Sequence, residues 1–183
     1  MSNRATIPVN GKTVEIRQET GYPWNGTVNF TVNPQNSQNF TLKIRIPGWS
    51  RNEVAPGGLY SFSNAPSEEP YRVLLNGVEV KSSVRNGYVE ISRKWTGNDR
   101  VELILPMKVR QVVAKEQVKD VLGLSSIEYG PLVYCAEEID NETVFDQISI
   151  TPQANYTVEM KPCFLGGINV ISDGISTFIP YYA

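Results

Sequence analysis

The chain has 183 residues and no histidine, and its 17 Lys plus Arg against 19 Asp plus Glu give a formal charge of −2. That balance argues against nucleic acid as a partner, which needs a basic surplus on one face. Without imidazole the chain cannot hold a Ser-His-Asp triad, a Cys-His pair or a His-ligated metal. No apolar run approaches the ~18 residues of a membrane span, so the totals describe one sizeable globular domain or two small ones.

Along the chain, short segments alternate apolar and polar residues. Residues 13–17 put Val14 and Ile16 on one face, and residues 27–32 put Val28, Phe30 and Val32 there. Leu42, Ile44 and Ile46 alternate with Lys43 and Arg45 in FTLKIRI. Tyr71, Val73 and Leu75 follow, then Val89 and Ile91. Residues 100–109 read as one strand carrying Val101, Leu103, Leu105, Met107 and Val109. A period of two lines one face of a strand. Asn10-Gly11, Asn25-Gly26, Asn76-Gly77, Asn86-Gly87 and Gly97-Asn98 fall between the runs, and such pairs supply the positive φ of tight hairpins. LLNGVEV is the clearest hairpin. No stretch carries the three-and-four spacing of a helix. The fold expected is an all-β, antiparallel β-sandwich without significant helix.

Residues 47–70 interrupt this rhythm with a Pro-, Gly-, Ser- and Asn-rich connection, and connections of that length are often functional. Its Leu59-Tyr60-Ser61-Phe62 segment reads as packing on something. The tail suggests shorter strands at 147–150, 156–160, 168–171 and 176–179. The expected organisation is therefore a β-sandwich over 1–139. Residues 140–183 then complete that sandwich or begin a second one. The start, MSN, reads as a natural start or as a cut from a larger protein. The end, FIPYYA, stops in a strand-like aromatic run and reads as a cut.

Chemistry has few places to reside. Glycoside hydrolysis needs two carboxylates. The adjacent pairs Glu68-Glu69 and Glu137-Glu138 suit it badly, because neighbours on a strand point to opposite faces and the first pair sits in a polar loop. No nucleophile elbow, dinucleotide fingerprint or phosphate loop occurs. Five N-x-T sequons, at Asn25, Asn29, Asn39, Asn141 and Asn155, are read as chance matches in Asn- and Thr-rich strands. Cys135 and Cys163 cannot form a zinc site alone and read as buried free thiols, with a disulfide as the alternative in an oxidising compartment. The candidate contact residues are aromatic. Trp24, Trp49 and Trp95 sit at strand ends or turns, and Tyr60 lies in the long loop. Each is either a sugar platform or a cap on the end of a sandwich.

ETGYPWNGTVNFTV, FTLKIRIPGWS, LLNGVEV, NGYVEISRKW, DRVELILPMKVR and YGPLVYCAEEIDN occur in this order. In that order they resemble glycoside hydrolase family 127, the β-L-arabinofuranosidase-like proteins. FLGG and IPYYA near the end are similar to family patterns too. The resemblance implies an (α/α)6 catalytic barrel followed by β-sandwich domains. It implies a cysteine nucleophile in the barrel, within a zinc site of three cysteines and a glutamate, and a second glutamate as acid/base. Neither Cys135 nor Cys163 matches those motifs, so no catalytic or metal residue is carried over. Residues 51–70 look like an insertion relative to the family pattern.

The function expected is that of a non-catalytic C-terminal β-sandwich part of such a hydrolase. Its partner would be the catalytic domain of the same polypeptide, which it would brace and whose substrate entrance it would help to shape. Dimer contacts would come through the parent protein. Trp49, Tyr60 and Trp24 are the substrate-binding or domain-interface candidates, with no cofactor in this chain and zinc in the missing domain. The alternative is a stand-alone carbohydrate-binding or adhesion module.

Overall fold

The computed structural model describes residues 2–63, 70–81, 83–142, 147–150 and 154–182. The strands, in chain order, are β1 (Asn3–Val9), β2 (Lys12–Thr20), β3 (Thr27–Pro34), β4 (Gln38–Arg45) and β5 (Tyr60–Phe62). They continue with β6 (Arg72–Leu75), β7 (Val78–Glu79), β8 (Tyr88–Trp95), β9 (Asp99–Ile104) and β10 (Val109–Ala114). The last are β11 (Ser125–Tyr129), β12 (Leu132–Cys135), β13 (Thr157–Lys161), β14 (Ile168–Ser172) and β15 (Thr177–Pro180). Helical pieces include 3-10 turns at Trp49–Arg51, Lys119–Val121 and Glu138–Asp140. The chain is all-β with antiparallel sheets, as its alternation predicts. It forms two compact units, Met1–Arg51 with Glu68–Pro106 and Asn52–Ser67 with Met107–Ala183.

The first unit is a sandwich of unequal layers. One sheet has the order β1-β2-β3-β9-β6-β7, the other is β4-β8. Val14, Val28, Val32, Val73, Val101 and Leu103 from the large sheet meet Ile44, Val89, Ile91 and Trp95 from the small one. Each fully buried Val, Leu or Ile contributes about 1.5–3 kcal/mol. β1 was missed in the sequence because it is an edge strand with nearly every residue exposed, so alternation has no core to report. It holds to β2 from Asn3↔Gln18 to Val9↔Lys12.

The two layers are joined by the turn between β8 and β9. Trp95 is fully buried, donates its Nε1–H to the Phe40 carbonyl at 3.0 Å and stacks on the Phe40 ring with centroids 5.4 Å apart. Trp95 is therefore core and not a sugar platform. Four residues on, the buried Asp99 carboxylate accepts the Thr96 N–H at 2.7 Å and the Asn76 Nδ2–H at 2.8 Å. Asn76 also accepts the Arg100 N–H at 2.8 Å. It sits at φ 50° beside Gly77 at φ 82°. Read from sequence as a turn residue, it also fastens the β6–β7 hairpin to β9.

The run 100–109 is not one strand. β9 ends at Ile104 and β10 begins at Val109. Leu105 still belongs to the first core and gives its N–H to the Gly26 carbonyl at 2.9 Å. Pro106 has no N–H to continue a ladder, and the chain passes to the second unit with its period of two unbroken.

The second unit is one antiparallel sheet in the order β13-β14-β15-β12-β11-β10-β5. Ile127, Tyr134, Ile171 and Phe178 form its core, with Tyr156 edge-on to Phe178 at 6.4 Å. The apparent insertion supplies β5, which lies on β10 with Phe62 opposite Val112. The sequence alone placed a boundary at 139/140. The strands after residue 140 join those before it through Tyr134↔Pro180 and Cys135↔Ile179, and the units part after Pro106. Residues 147–150 form no strand, but Ile148 and Ile150 pack on the core.

Replacing Trp95 by Ala should cost about 3–5 kcal/mol in urea denaturation, from the cavity plus the lost indole bond. Burial pushes the Asp99 carboxyl up. The bonds from Asn76 and Thr96 and the charge of Arg93 outweigh that and hold it below its usual value. A depressed folded-state pKa means stability present above the unfolded value and lost as pH falls through the folded one. Stability should therefore fall as acid titration passes through that low window, and Asp99→Asn should remove this part of the pH dependence.

Candidate functional site

Two of the three aromatic candidates lie in the first unit. The connection from β2 to β3 is closed by local bonds. The Thr20 hydroxyl accepts the Tyr22 N–H at 3.0 Å and donates to the Thr27 carbonyl at 2.7 Å. The Trp24 N–H reaches the Gly21 carbonyl at 2.9 Å. A Cβ at Gly21 would meet the Asn25 Nδ2 at 2.4 Å, so the Asn25 side chain would have to shift. Trp49 opens a 3-10 turn fixed by Ser50 Oγ donating to the Pro47 carbonyl at 2.8 Å. Both tryptophans are half-buried, and Trp49 packs with Tyr22 against the first core. Burial pushes the Tyr22 phenol up, opposed by a hydrogen bond with the Trp49 side chain. Trp49 thus presents only part of its ring, held in place by Tyr22, a residue the sequence reading passed over.

Tyr60 belongs to the second unit. It stands 40% exposed on edge strand β5, opposite Ala114. Beside it is a hollow of 370 Å³ lined by Asn52, Glu53, Val54, Gly58 and Phe62. The Arg110 guanidinium lies 4.4 Å over the Phe62 ring, and Arg110 is in register with Glu128. Burial pushes the Glu128 carboxyl up and Arg110 opposes that shift. This is a structural cluster under Tyr60, and it offers no nucleophile.

The reactive residue types are scattered. Cys135 and Cys163 are free thiols, but Cys163 is exposed, not buried as the sequence suggested. Burial, with the charges of Glu137 and Asp140, pushes the Cys135 thiol up, which removes the thiolate a nucleophile requires. Glu138 starts a 3-10 turn, so the Glu137-Glu138 pair is not on a strand. Glu68-Glu69 lies outside the described residues. Among the described residues no three His, Cys, Asp or Glu converge as metal ligands, so they do not fit the zinc site implied by the family resemblance.

A concavity of 720 Å³ lies on the outer face of the six-stranded sheet. Its lining includes Glu19, Asn29, Thr31, Leu74, Arg100 and Glu102. Register places Glu19, Asn29, Glu102 and Leu74 in one row across four strands. Thr31 and Arg100 form the next row. Two carboxylates two strands apart stand about 10 Å from each other at the backbone, near the spacing of inverting glycosidases. A general acid there needs burial to keep its proton. Glu19 is instead exposed and paired to Arg17 at 2.7 Å, which suits binding and not bond breaking. Alternation in TVNFTV and DRVELI marked these positions as outward. What the sequence hid is that β3 and β9, some seventy residues apart, are neighbours.

Tyr22→Phe tests the aromatic corner. It should lower stability by about 1 kcal/mol and change the fluorescence of Trp49, leaving the far-ultraviolet spectrum as it was.

Comparison with known proteins follows these units. The family described as "Beta-L-arabinofuranosidase, GH127 middle domain" matches residues 1–107. The "Glycoside hydrolase family 127 C-terminal domain" matches residues 109–183. A non-reducing end beta-L-arabinofuranosidase of Bifidobacterium longum subsp. longum is 32% identical over 135 residues, 72% of this chain and 18% of that protein. A solved GH127 beta-arabinofuranosidase is 38% identical at a TM-score of 0.89, over 99% of this chain and 31% of its own. A GH127 beta-L-arabinofuranosidase from Geobacillus stearothermophilus T6 is 30% identical at a TM-score of 0.83, over 98% of this chain and 30% of its own. The chain thus spans less than a third of the length of each of these relatives. With both of its units matched in order, this chain belongs to glycoside hydrolase family 127, of which it carries the middle and C-terminal domains.

Proposed function

We propose that this chain supports glycoside hydrolysis without performing it. In this reading it is the non-catalytic β-rich part of a β-L-arabinofuranosidase-like enzyme. It braces an (α/α)6 catalytic barrel of the same polypeptide, and the Trp49 corner helps to shape the substrate entrance. The observation that carries the reading is the match itself: the middle and C-terminal family domains cover this chain and leave most of the relatives' length unmatched. The half-buried Cys135 thiol, its pKa pushed up, is a poor nucleophile. The matched relatives, roughly three to four times as long, leave room for the chemistry elsewhere. A zinc ion and its cysteines belong, in this reading, to that barrel.

Exposed apolar side chains in the second unit support a bracing role. Leu122, Leu124, Ile139, Ile175 and Tyr181 are 63%, 64%, 90%, 81% and 76% exposed, apolar surface open to contact with a partner. Activity on an aryl β-L-arabinofuranoside separates the possibilities. The full-length parent should turn the substrate over and the 183-residue chain should not. In the parent, Trp49→Ala should raise KM or lower the melting temperature. Turnover by the chain alone would refute the reading.

A further inference from the structure

We infer that the outer face of the six-stranded sheet is a carbohydrate-binding groove, centred on Asn29, Thr31, Arg100 and Glu102, that takes a neutral, hydroxyl-rich saccharide. This goes beyond the bracing role and takes from it only the sugar class.

The inference begins from how polar side chains are used on the two outer faces of the first unit. On the small sheet they are consumed in cross-strand pairs. Thr41 and Ser92 share a hydrogen bond of 2.7 Å, Lys43 pairs with Glu90 at 2.7 Å, and the Arg45 guanidinium covers the Tyr88 ring at 5.5 Å. The flanks of the large sheet behave alike, with ion pairs Arg4–Glu15, Arg17–Glu19 and Arg72–Glu79. The centre does not. Asn29 is in register with Glu102, and Thr31 with Arg100. Among the described residues these four side chains make no hydrogen bond or ion pair. They form a block about 5 Å by 7 Å, from cross-strand and same-face spacing, which matches one sugar ring.

The chemistry of the block selects the occupant. A carboxylate accepts two hydroxyl donors, a guanidinium donates to two hydroxyl oxygens, and the amide and the threonine hydroxyl do both. Arg100 offsets Glu102 and Arg17 offsets Glu19 at the rim, so neither an acidic nor a basic ligand is favoured. Leu74 at the edge of the groove offers an apolar surface for ring C–H groups. The volume of 720 Å³ lies in the range of small-molecule sites. Phe30 also lines the groove, although it packs against the core from β3.

The test uses the 183-residue chain, with arabinotetraose as the neutral probe and tetragalacturonate as the acidic one, followed by calorimetry and amide chemical-shift mapping. Arabinotetraose should bind and shift amides of β3 and β9. Arg100→Ala and Glu102→Ala should each weaken binding about tenfold, while Thr41→Ala on the opposite sheet should leave it unchanged. All three positions are surface sites, so an unchanged melting temperature verifies folding. No binding of the neutral probe, binding of the acidic probe alone, or neutral binding indifferent to both variants would each overturn the assignment. Catalytic turnover is not read here, so this groove and the bracing role can fail separately.

Discussion

The first unit depends on a corner. Between Trp95 and Asp99 the chain leaves the two-stranded sheet and enters the six-stranded one. Trp95 fills the space between the layers and spends its N–H on a backbone carbonyl, so a large ring is buried with no polar atom left over. Asp99 then gathers Thr96 and Asn76, and Asn76 gathers Arg100. One buried carboxylate thus fixes the β6–β7 turn to the β8–β9 turn. The order of the strands, and with it the outer face, follows from this corner.

The groove is a consequence of that order. β9 is inserted between β3 and β6, which brings outward residues of 27–33 beside those of 100–104 and 72–74. On the small sheet the outward side chains fill with mutual pairs, as on β4 and β8. At the non-local joint between β3 and β9, Asn29 faces Glu102 and Thr31 faces Arg100 without pairing. Leaving such groups to water costs the fold little, since exposed pairs contribute only about 0–1 kcal/mol. It keeps them available to a ligand.

The aromatic candidates divide by burial. Trp95 belongs to the core, Trp24 and Trp49 are half-buried at the turn end of the first unit, and Tyr60 stands on the edge of the second. A tryptophan at a strand end therefore carries different meanings at positions 24, 49 and 95, although the three look alike in the sequence. The shared packing of Tyr22 and Trp49 against the first core is the kind of contact that decides between them, and it involves residues in separate loops.

Much was legible from residues alone. Alternation in KTVEIRQET, FTLKIRI and YVEISRKW is a local consequence of one wet and one dry face, so it announced strands β2, β4 and β8. Asn-Gly pairs announced turns because few other residues tolerate positive φ. The lack of histidine and the isolation of two thiols limited the chemistry before any coordinates. Other features needed the tertiary structure. Edge strand β1 has no buried face, and β5 earns its place only by pairing with β10. The period of two ran on through Pro106, so the break between units went unseen. The neighbours of β3 are set by which inward faces fill one core and by the Trp95–Asp99 corner. Both are non-local, and a one-dimensional pattern contains faces but not partners.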